Sequence, residues 1–165
     1  MTKIVSWNVN SIRVRLDHLN TLINDNKPDI IMLQETKSTN EDFPYDSIKN
    51  HGYEIINIGQ KSYNGVAILS KIPLKLKNES LPKNNKDDQA RFIEVSVLDK
   101  NPFDIASIYL PNGNPIDTDK FSYKLDWMKK LKNYIKNKLD NYETFIFGGD
   151  YNIIPKADDA INIDK

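Results

Sequence analysis

Polar side chains that could bind a metal ion or a phosphate stand directly after apolar segments of the chain. Glu35 follows the apolar run 30–33, and a carboxylate in that position is costly to bury unless it is paired or bound to a metal. Mg²⁺ takes one or two carboxylates and keeps several water ligands. Lys37 could instead pair with Glu35 in an ordinary salt bridge. The residues alone leave both interpretations open.

Two pairs of polar residues have a spacing that allows joint action on one ligand. Asp150 and Asn152 are one residue apart, so in extended backbone both side chains point to the same side. A carboxylate can accept a proton from water, and a neighbouring amide can orient that water or a phosphate oxygen. Asn8 and Asn10 have the same spacing without a charge. Gly, Asp and Asn also favour turns, so plain turns are the alternative at both pairs.

Alternating apolar runs and helical periodicity must position these polar residues. The pattern predicts strands over residues 3–7, 30–33, 53–58, 65–69, 92–98, 103–109 and 144–147. A first helix is predicted to end at Pro28, and a long helix to begin at Asp117 or Thr118. The long helix is expected to bury one apolar stripe, composed of Phe121, Leu125, Met128, Leu131, Ile135 and Leu139.

The order of these elements indicates an α/β fold, a mixed β-sheet with flanking helices on one face. The candidate residues Asn8, Asn10, Glu35, Tyr109, Asp150 and Asn152 all follow apolar strands. Ligands in such folds bind at the carboxyl edge of the sheet, so these side chains can converge on one crevice. The residues therefore point to metal-assisted phosphate chemistry.

Length and composition narrow the class of protein. The 165 residues suit a single domain, and no apolar run is long enough to span a membrane. The absence of cysteine excludes disulfides, a thiolate zinc site and a cysteine nucleophile. We expect a cytoplasmic protein with no membrane partner. The 23 Lys and Arg balance 23 Asp and Glu, which argues against binding polyanions by bulk charge but not against a local basic face.

The remaining titratable residues give weaker signals. His18 lies in the first predicted helix and His51 before a predicted strand, so neither is placed to act as a general base. The long helix is rich in lysine, and most of its lysines are expected on a solvated face. Only Lys120, and with it Lys124, stands close enough to the strand ends to bind a phosphate.

Several segments, in order along the whole chain, resemble the motifs of the exonuclease III family of abasic-site endonucleases. This family belongs to the endonuclease/exonuclease/phosphatase superfamily. The segments are SWNVNSIR (6–13), LQETK (33–37), YNGVA (63–67), DQAR (88–91), YLPNG (109–113), KFSYKLDW (120–127) and GDYNIIP (149–155).

The resemblance implies a fold and a set of roles. The fold would be the first half of a four-layer α/β sandwich of the deoxyribonuclease type, within a single, C-terminally truncated domain over residues 1–165. The resemblance implies that Glu35 and Asn8 bind Mg²⁺ (or Mn²⁺), that Asp150 positions or deprotonates the attacking water, and that Asn152 binds a phosphate oxygen. It also implies that Tyr109 assists the phosphate or the water. The residues implied to contact DNA are Tyr63, Arg91 and Lys120, and Asn10 and Lys37 would support the site. Asn10 stands where some relatives have Asp.

The implied activity is Mg²⁺-dependent phosphodiester hydrolysis at abasic sites and 3′ ends of duplex DNA. Family members continue beyond Pro155 and supply an Asp-His pair and an earlier Asp there, so we expect little activity from these residues alone. Without that part, the inner face of the first sheet should be uncovered and favour self-association or a partner protein. The alternatives are a phosphoesterase for lipid or inositol phosphates and a non-catalytic DNA-binding or subunit remnant.

Overall fold

Two β-sheets and three helices make up the described part of the chain. The computed structural model describes residues 1–84, 87–141, 143–156 and 159. The strands are β1 (Ile4–Asn8), β2 (Ile30–Gln34), β3 (Glu54–Ile58), β4 (Val66–Ser70), β5 (Leu74–Asn78), β6 (Phe92–Val97), β7 (Phe103–Tyr109) and β8 (Phe145–Asp150). The helices are α1 (Leu16–Asn26), α2 (Tyr45–Lys49) and α3 (Asp119–Asp140).

Both sheets are mixed. The first has the strand order β1-β2-β4-β3, in which β1 and β2 are parallel and the other pairs antiparallel. The second has the order β5-β6-β7-β8, in which only β7 and β8 are parallel. Each sheet therefore has one parallel pair at one edge, β1-β2 in the first and β7-β8 in the second.

Three apolar clusters hold the layers together. The inner faces of the two sheets pack against each other through residues such as Ile68 and Ile93. The outer face of the first sheet packs against α1 and α2 through Leu19 and Ile48. The outer face of the second packs against α3 through Trp127. The layers are therefore helices, sheet, sheet and helix, as in the sandwich that the resemblance implies.

The predicted α/β class is confirmed, but the single sheet inferred from the element order is wrong. All seven predicted strands form, and they divide between two sheets because β4 turns back along β2 and β6 starts a second antiparallel set. Strand β5 was not predicted, because its sequence LKLKN buries only Leu74. Helix α2 is five residues long, too short for a periodic pattern.

The predicted apolar stripe of α3 is only partly correct. Leu131 is buried, but Leu125 and Leu139 are exposed, and Trp127 lies at the centre of the interface instead. Lys138 was expected on the solvated face and is fully buried, with 1% of its surface exposed. Carboxylates of the second sheet contact its ammonium, and this pairing makes the burial possible.

The expectation of an uncovered inner face is also wrong for most of the sandwich. The second sheet covers the inner side chains of the first, and Ile30 and Met32 are buried between them. Exposure remains at one edge, where β1 and β8 lie side by side and Ile146 is 38% exposed. None of the helices in the described ranges is long and apolar enough to cross a membrane.

Candidate active site

The sheet topology brings four predicted residues to one edge of the sandwich. Asn8 ends β1 and Glu35 follows β2, and these parallel strands end at the same side. Tyr109 ends β7 and Asp150 ends β8, where the two residues are register partners in a parallel pair. The carboxyl ends of both parallel pairs therefore meet across the two sheets.

Asn8 joins the two carboxylates of this edge. Its Nδ2 donates one hydrogen bond to Glu35 Oε1 at 2.8 Å and another to Asp150 Oδ2 at 2.7 Å. Its Oδ1 accepts a hydrogen bond from the backbone N–H of Asn10 at 3.1 Å. Asn8 therefore bridges the two carboxylates, and the metal-binding role that the resemblance implies for it stays a prediction.

The Glu35 carboxylate is held in its ionised form. Burial raises its pKa, but hydrogen bonds from Asn8, Lys37 and Tyr109 outweigh burial, and the pKa is lowered overall. Lys37 Nζ lies 2.9 Å from Glu35 Oε2 and also donates to Asn10 Oδ1 at 2.5 Å. The salt bridge considered as the alternative is therefore present. This salt bridge is compatible with the link between Glu35 and Asp150, because Lys37 contacts Oε2 of Glu35 and Asn8 donates to Oε1.

Tyr109 stands between the carboxylates and Arg91. Burial and the hydrogen bond to Glu35 raise the pKa of Tyr109 to about 12, so its hydroxyl stays protonated and can donate at neutral pH. The Arg91 guanidinium stacks over the Tyr109 ring, with its carbon 4.9 Å from the ring centroid. Arg91 Nε also donates to Gln89 Oε1 at 2.9 Å. These contacts bring Arg91 to the same edge.

Asn152 is fixed beside Asp150 by a tight turn. The backbone N–H of Asn152 donates to Asp150 Oδ1 at 2.8 Å, and its Nδ2 donates to the Leu110 carbonyl at 2.8 Å. Its φ of 47° is left-handed, so the extended backbone assumed from the spacing is wrong here. The turn alternative is correct, and the turn itself brings the amide to the carboxylate.

A cleft of about 650 Å³ opens beside this turn. Asn112 and Asn114 line one side, and Asp150 and Asn152 line the other. The side chain of Asn112 approaches Asn152, with 3.5 Å between Nδ2 and Oδ1. Asn112 was not singled out from the sequence. Its position in the Pro-Asn-Gly loop directly after β7 was the signal that could have identified it.

Left-handed backbone is concentrated around the site. Among the described residues, seven non-glycine residues with positive φ lie in its loops: Asn10 (43°), Ser11 (87°), Glu35 (52°), Lys37 (49°), Ser62 (67°), Asn64 (50°) and Asn152 (47°). Such conformations are disfavoured for residues with a Cβ and persist where the surrounding structure holds them. Four of the seven, namely Asn10, Glu35, Lys37 and Asn152, were candidate site residues in the sequence analysis.

The Tyr63 loop is attached to the Glu35 segment through the backbone. Lys37 N–H donates to the Asn64 carbonyl at 2.9 Å, and Gly65 N–H donates to the Ala90 carbonyl at 2.9 Å. A side chain at Gly65 would not fit, because its Cβ would lie 2.1 Å from an oxygen of Thr36. Tyr63 itself is 69% exposed. It projects from an anchored loop without being part of the core.

Other predicted residues are not drawn into the site. Lys120 is exposed in the first turn of α3, and within the described ranges it has no side-chain hydrogen bond or ion pair. His18 is exposed on α1, and His51 Nε2 lies 3.1 Å from Asn20 Oδ1 of that helix. Among the described residues, neither histidine side chain hydrogen-bonds to Glu35 or Asp150, and that neither acts as a base stays a prediction.

The donor set suits a hard divalent cation. Glu35 and Asp150 offer carboxylate oxygens within one hydrogen bond of the same nitrogen, and both are only partly buried. Mg²⁺ takes one or two carboxylates and several waters. Across residues 1–84, 87–141, 143–156 and 159, no group of three His, Cys, Asp or Glu side chains has metal-binding geometry. The site is thus a carboxylate pair with room for water in the cleft.

Comparison with known proteins identifies the class. Residues 5–165 match the model of the Endonuclease/Exonuclease/phosphatase family, and the chain belongs to this family. By its name this family comprises endonucleases, exonucleases and phosphatases, and relatives of this chain are named exodeoxyribonuclease III and DNA-(apurinic or apyrimidinic site) endonuclease.

Individual relatives agree with this class. The chain is 33% identical to exodeoxyribonuclease III of Haemophilus influenzae, over 93% of this chain and 58% of that protein. It is 30% identical to an exodeoxyribonuclease of Bacillus subtilis, over 97% of this chain and 62% of that protein. The chain thus spans about three fifths of the length of these relatives.

Solved structures give the same fold. The 3′ phosphatase NExo from Neisseria, bound to a product DNA hairpin, matches with a TM-score of 0.88 and 34% identity, over 95% of this chain and 60% of that one. An AP endonuclease from Archaeoglobus fulgidus matches with a TM-score of 0.85 and 35% identity, over the same shares of the two chains.

Proposed function

We propose that the chain carries part of the active site of a Mg²⁺-dependent nuclease of the exonuclease III type. Its substrate would be duplex DNA, cut at abasic sites and trimmed from 3′ ends. The observation that carries the proposal is the Asn8 side chain, which joins Glu35 and Asp150 across the two sheets. The names of the relatives, exodeoxyribonuclease and AP endonuclease, support the same substrate.

The arrangement supports in-line attack of water on a phosphodiester. Asp150 accepts a proton from the water, whose oxygen forms the new bond to phosphorus while the bond to the departing ribose oxygen breaks. That ribose oxygen takes a proton from solvent. Asn152 donates a hydrogen bond to a phosphate oxygen, where negative charge develops, and the Tyr109 hydroxyl does so by turning from Glu35 to the substrate.

A divalent cation held at Glu35 would add charge stabilisation to this scheme. Glu35 is the residue that would hold it, with Lys37 on the neighbouring carboxylate oxygen. A bound Mg²⁺ or Mn²⁺ would place positive charge beside the phosphate oxygens. Both oxygens of Glu35 have a partner, Asn8 at Oε1 and Lys37 at Oε2, so Glu35 would bind a cation in place of one of these contacts, and a chelator should reverse that binding.

The test combines metal binding with cleavage. Titration of the purified chain with Mn²⁺, followed by electron paramagnetic resonance, should show binding that is lost in Glu35→Gln. A labelled duplex with one abasic site should be nicked slowly in Mg²⁺ by the chain and not by Glu35→Gln. His51→Gln serves as the control, since the His51 side chain hydrogen-bonds only to Asn20 of α1 among the described residues, and this variant should behave as the unaltered chain.

Each other outcome has a definite meaning. Nicking that persists in chelator or in Glu35→Gln would refute the assigned role of Glu35. Hydrolysis of an inositol phosphate without nicking of DNA would favour the phosphoesterase alternative. Salt-dependent duplex binding without cleavage in any divalent metal would favour the non-catalytic alternative.

A partner polypeptide is part of the proposal. The edge formed by β1 and β8 leaves Ile146 partly exposed, and each of these strands has one hydrogen-bonding side without a strand neighbour in the described structure. Unpaired strand edges bind other chains. We expect self-association or partner binding at this edge, and light scattering across a concentration series should show association that Ile146→Asp reduces. A concentration-independent monomer would exclude self-association.

A further inference from the structure

Lys124 links α3 to both loops that line the cleft. Its Nζ donates to the Asn152 carbonyl at 2.6 Å and to the Asn112 carbonyl at 3.0 Å. These two residues follow β8 and β7, respectively, and their side chains approach each other in the cleft. One ammonium group therefore fixes two loops that are neighbours in space but distant in sequence.

The aliphatic part of the Lys124 side chain is also held in place. Gly113 packs directly against it, and a Cβ at Gly113 would lie 2.5 Å from Lys124 Cδ. Gly113 also has a left-handed φ of 78°, so glycine is suited to this position on two counts. The loop after β7 is thus closed over the aliphatic part of Lys124, and its carbonyl caps the ammonium.

The charge of Lys124 is not cancelled by a nearby acid. Other lysines of α3 have carboxylate partners, as Lys130 does with Asp126 and Lys136 with Asp140. Within the described residues, no carboxylate oxygen lies within ion-pair distance of Lys124 Nζ. Two carbonyl oxygens accept hydrogen bonds from its ammonium, and both carbonyls belong to residues that line the cleft, so an uncancelled positive charge lies directly behind that lining.

We infer that Lys124 is a positioning residue for the phosphate-binding amides. It holds Asn152 and Asn112 in the orientation that receives a phosphate group, and it adds a positive charge behind them. Lys120, which the sequence favoured for a direct phosphate contact, has no such connection. The inference rests on the proposed function, because that function assigns the phosphate to Asn152.

Nuclear magnetic resonance separates the positioning role from the ligand. The side-chain and backbone amide signals of Asn152 and Asn112 should move in Lys124→Met, which keeps the stem and removes the ammonium. They should stay close to their original positions in Lys124→Arg, whose guanidinium can reach both carbonyls. Lys129→Met, an exposed lysine of the same helix, is the matched control and should leave these signals unchanged.

Inorganic phosphate, titrated in the same spectra, provides the second measurement. Phosphate should shift the Asn152 signals in the unaltered chain, and its affinity should fall about tenfold in Lys124→Met, as expected for hydrogen bonds involving a charged group. Lys124→Arg should restore most of this affinity. Urea unfolding of each variant shows that the fold is kept.

The outcomes distinguish the two proposals. If the Asn152 and Asn112 signals in Lys124→Met match those in Lys129→Met, Lys124 positions nothing and the inference is overturned. If Lys124→Arg moves the signals as far as Lys124→Met, the cationic donor is not the cause and the inference is again overturned. If the signals respond as expected but phosphate binds to no form of the protein, the positioning holds and the assignment of phosphate to this cleft fails.

Discussion

Replacement of Lys138 by methionine should destabilise the protein strongly. The ammonium of Lys138 lies 2.7 Å from Glu94 Oε1, 2.8 Å from Asp104 Oδ2 and 2.8 Å from Glu143 Oε2. This buried cluster ties the C-terminal part of α3 to the second sheet. Methionine keeps most of the volume of the lysine stem, so Lys138→Met removes the charge with little change in packing.

The expected magnitude follows from what each carboxylate keeps. Lys77 Nζ remains beside Asp104 and Glu143, and Glu143 is one-third exposed, so these two keep a cation or water. Glu94 is fully buried and keeps only neutral donors, Asn78 and the Tyr134 hydroxyl. Removing one partner of a buried ion pair costs about 3–5 kcal/mol, and with one carboxylate stranded we expect about 3 kcal/mol.

Urea unfolding followed by circular dichroism measures this loss. With a slope of about 2 kcal/mol per M, the midpoint should fall by about 1.5 M urea. Lys136→Met is the matched control, since Lys136 pairs with Asp140 at the exposed surface, and its midpoint should change by no more than about 0.25 M urea. The double variant Glu94→Gln/Lys138→Met should recover most of the stability, because it leaves no buried unpaired charge.

The same cluster makes the free energy of unfolding depend on pH in the acid range. Burial raises the pKa of Asp104, but hydrogen bonds from Lys138 and Lys77 outweigh burial and lower it overall. A lowered pKa in the folded state contributes stability above the pKa of the unfolded chain, and this stability is lost as the pH falls through the folded value. Lys138→Met should reduce the loss of stability that accompanies this fall in pH. The pKa of Lys138 is raised, so its own contribution is lost only at strongly alkaline pH.

Two results would refute the reasoning. A loss of less than about 1 kcal/mol in Lys138→Met would mean that the ammonium does not compensate Glu94. A double variant no more stable than Lys138→Met would mean that packing, and not charge, accounts for the loss.

Two further predictions concern the site. Gly149 has a φ of 147°, and a Cβ there would lie 2.0 Å from the Ile108 carbonyl oxygen. Gly149→Ala should therefore displace Asp150, lower the thermal unfolding midpoint and abolish nicking of abasic duplex. Gly52→Ala is the control: a Cβ there has nothing within 4 Å, so only the mild loss of stability expected from a left-handed φ should result. An unchanged Gly149→Ala would show that the strand can shift freely. Tyr63→Ala should leave the midpoint of urea unfolding unchanged within error, because the side chain is largely exposed. It should weaken duplex binding in a filter assay, since an aromatic ring contacting bases contributes about 1–3 kcal/mol. Equal binding by the variant and the unaltered chain would show that Tyr63 does not contact DNA.

Local sequence patterns predicted most of the elements and singled out the candidate site residues, whose roles stay predictions. The runs at 30–33 and 103–109 form strands as predicted, and Pro28 marks the end of the first helix, whereas Gly148 and Gly149 remain within β8. Glu35 stands out because a carboxylate after a fully buried strand needs a partner. Strand β5 and helix α2 did not stand out, because neither has enough apolar periodicity of its own.

The relation between the reactive residues depended on the tertiary structure. Asn8 is 27 residues from Glu35 and 142 from Asp150, and no local pattern specifies that one amide bonds both. The burial of Lys138 follows the same rule, since its carboxylate partners come from other elements. Side-chain chemistry is encoded residue by residue, whereas the distance between groups on different strands depends on strand order and on how two sheets pack. The sequence by itself therefore determined which groups could react, and the packing of the two sheets decided which of them meet.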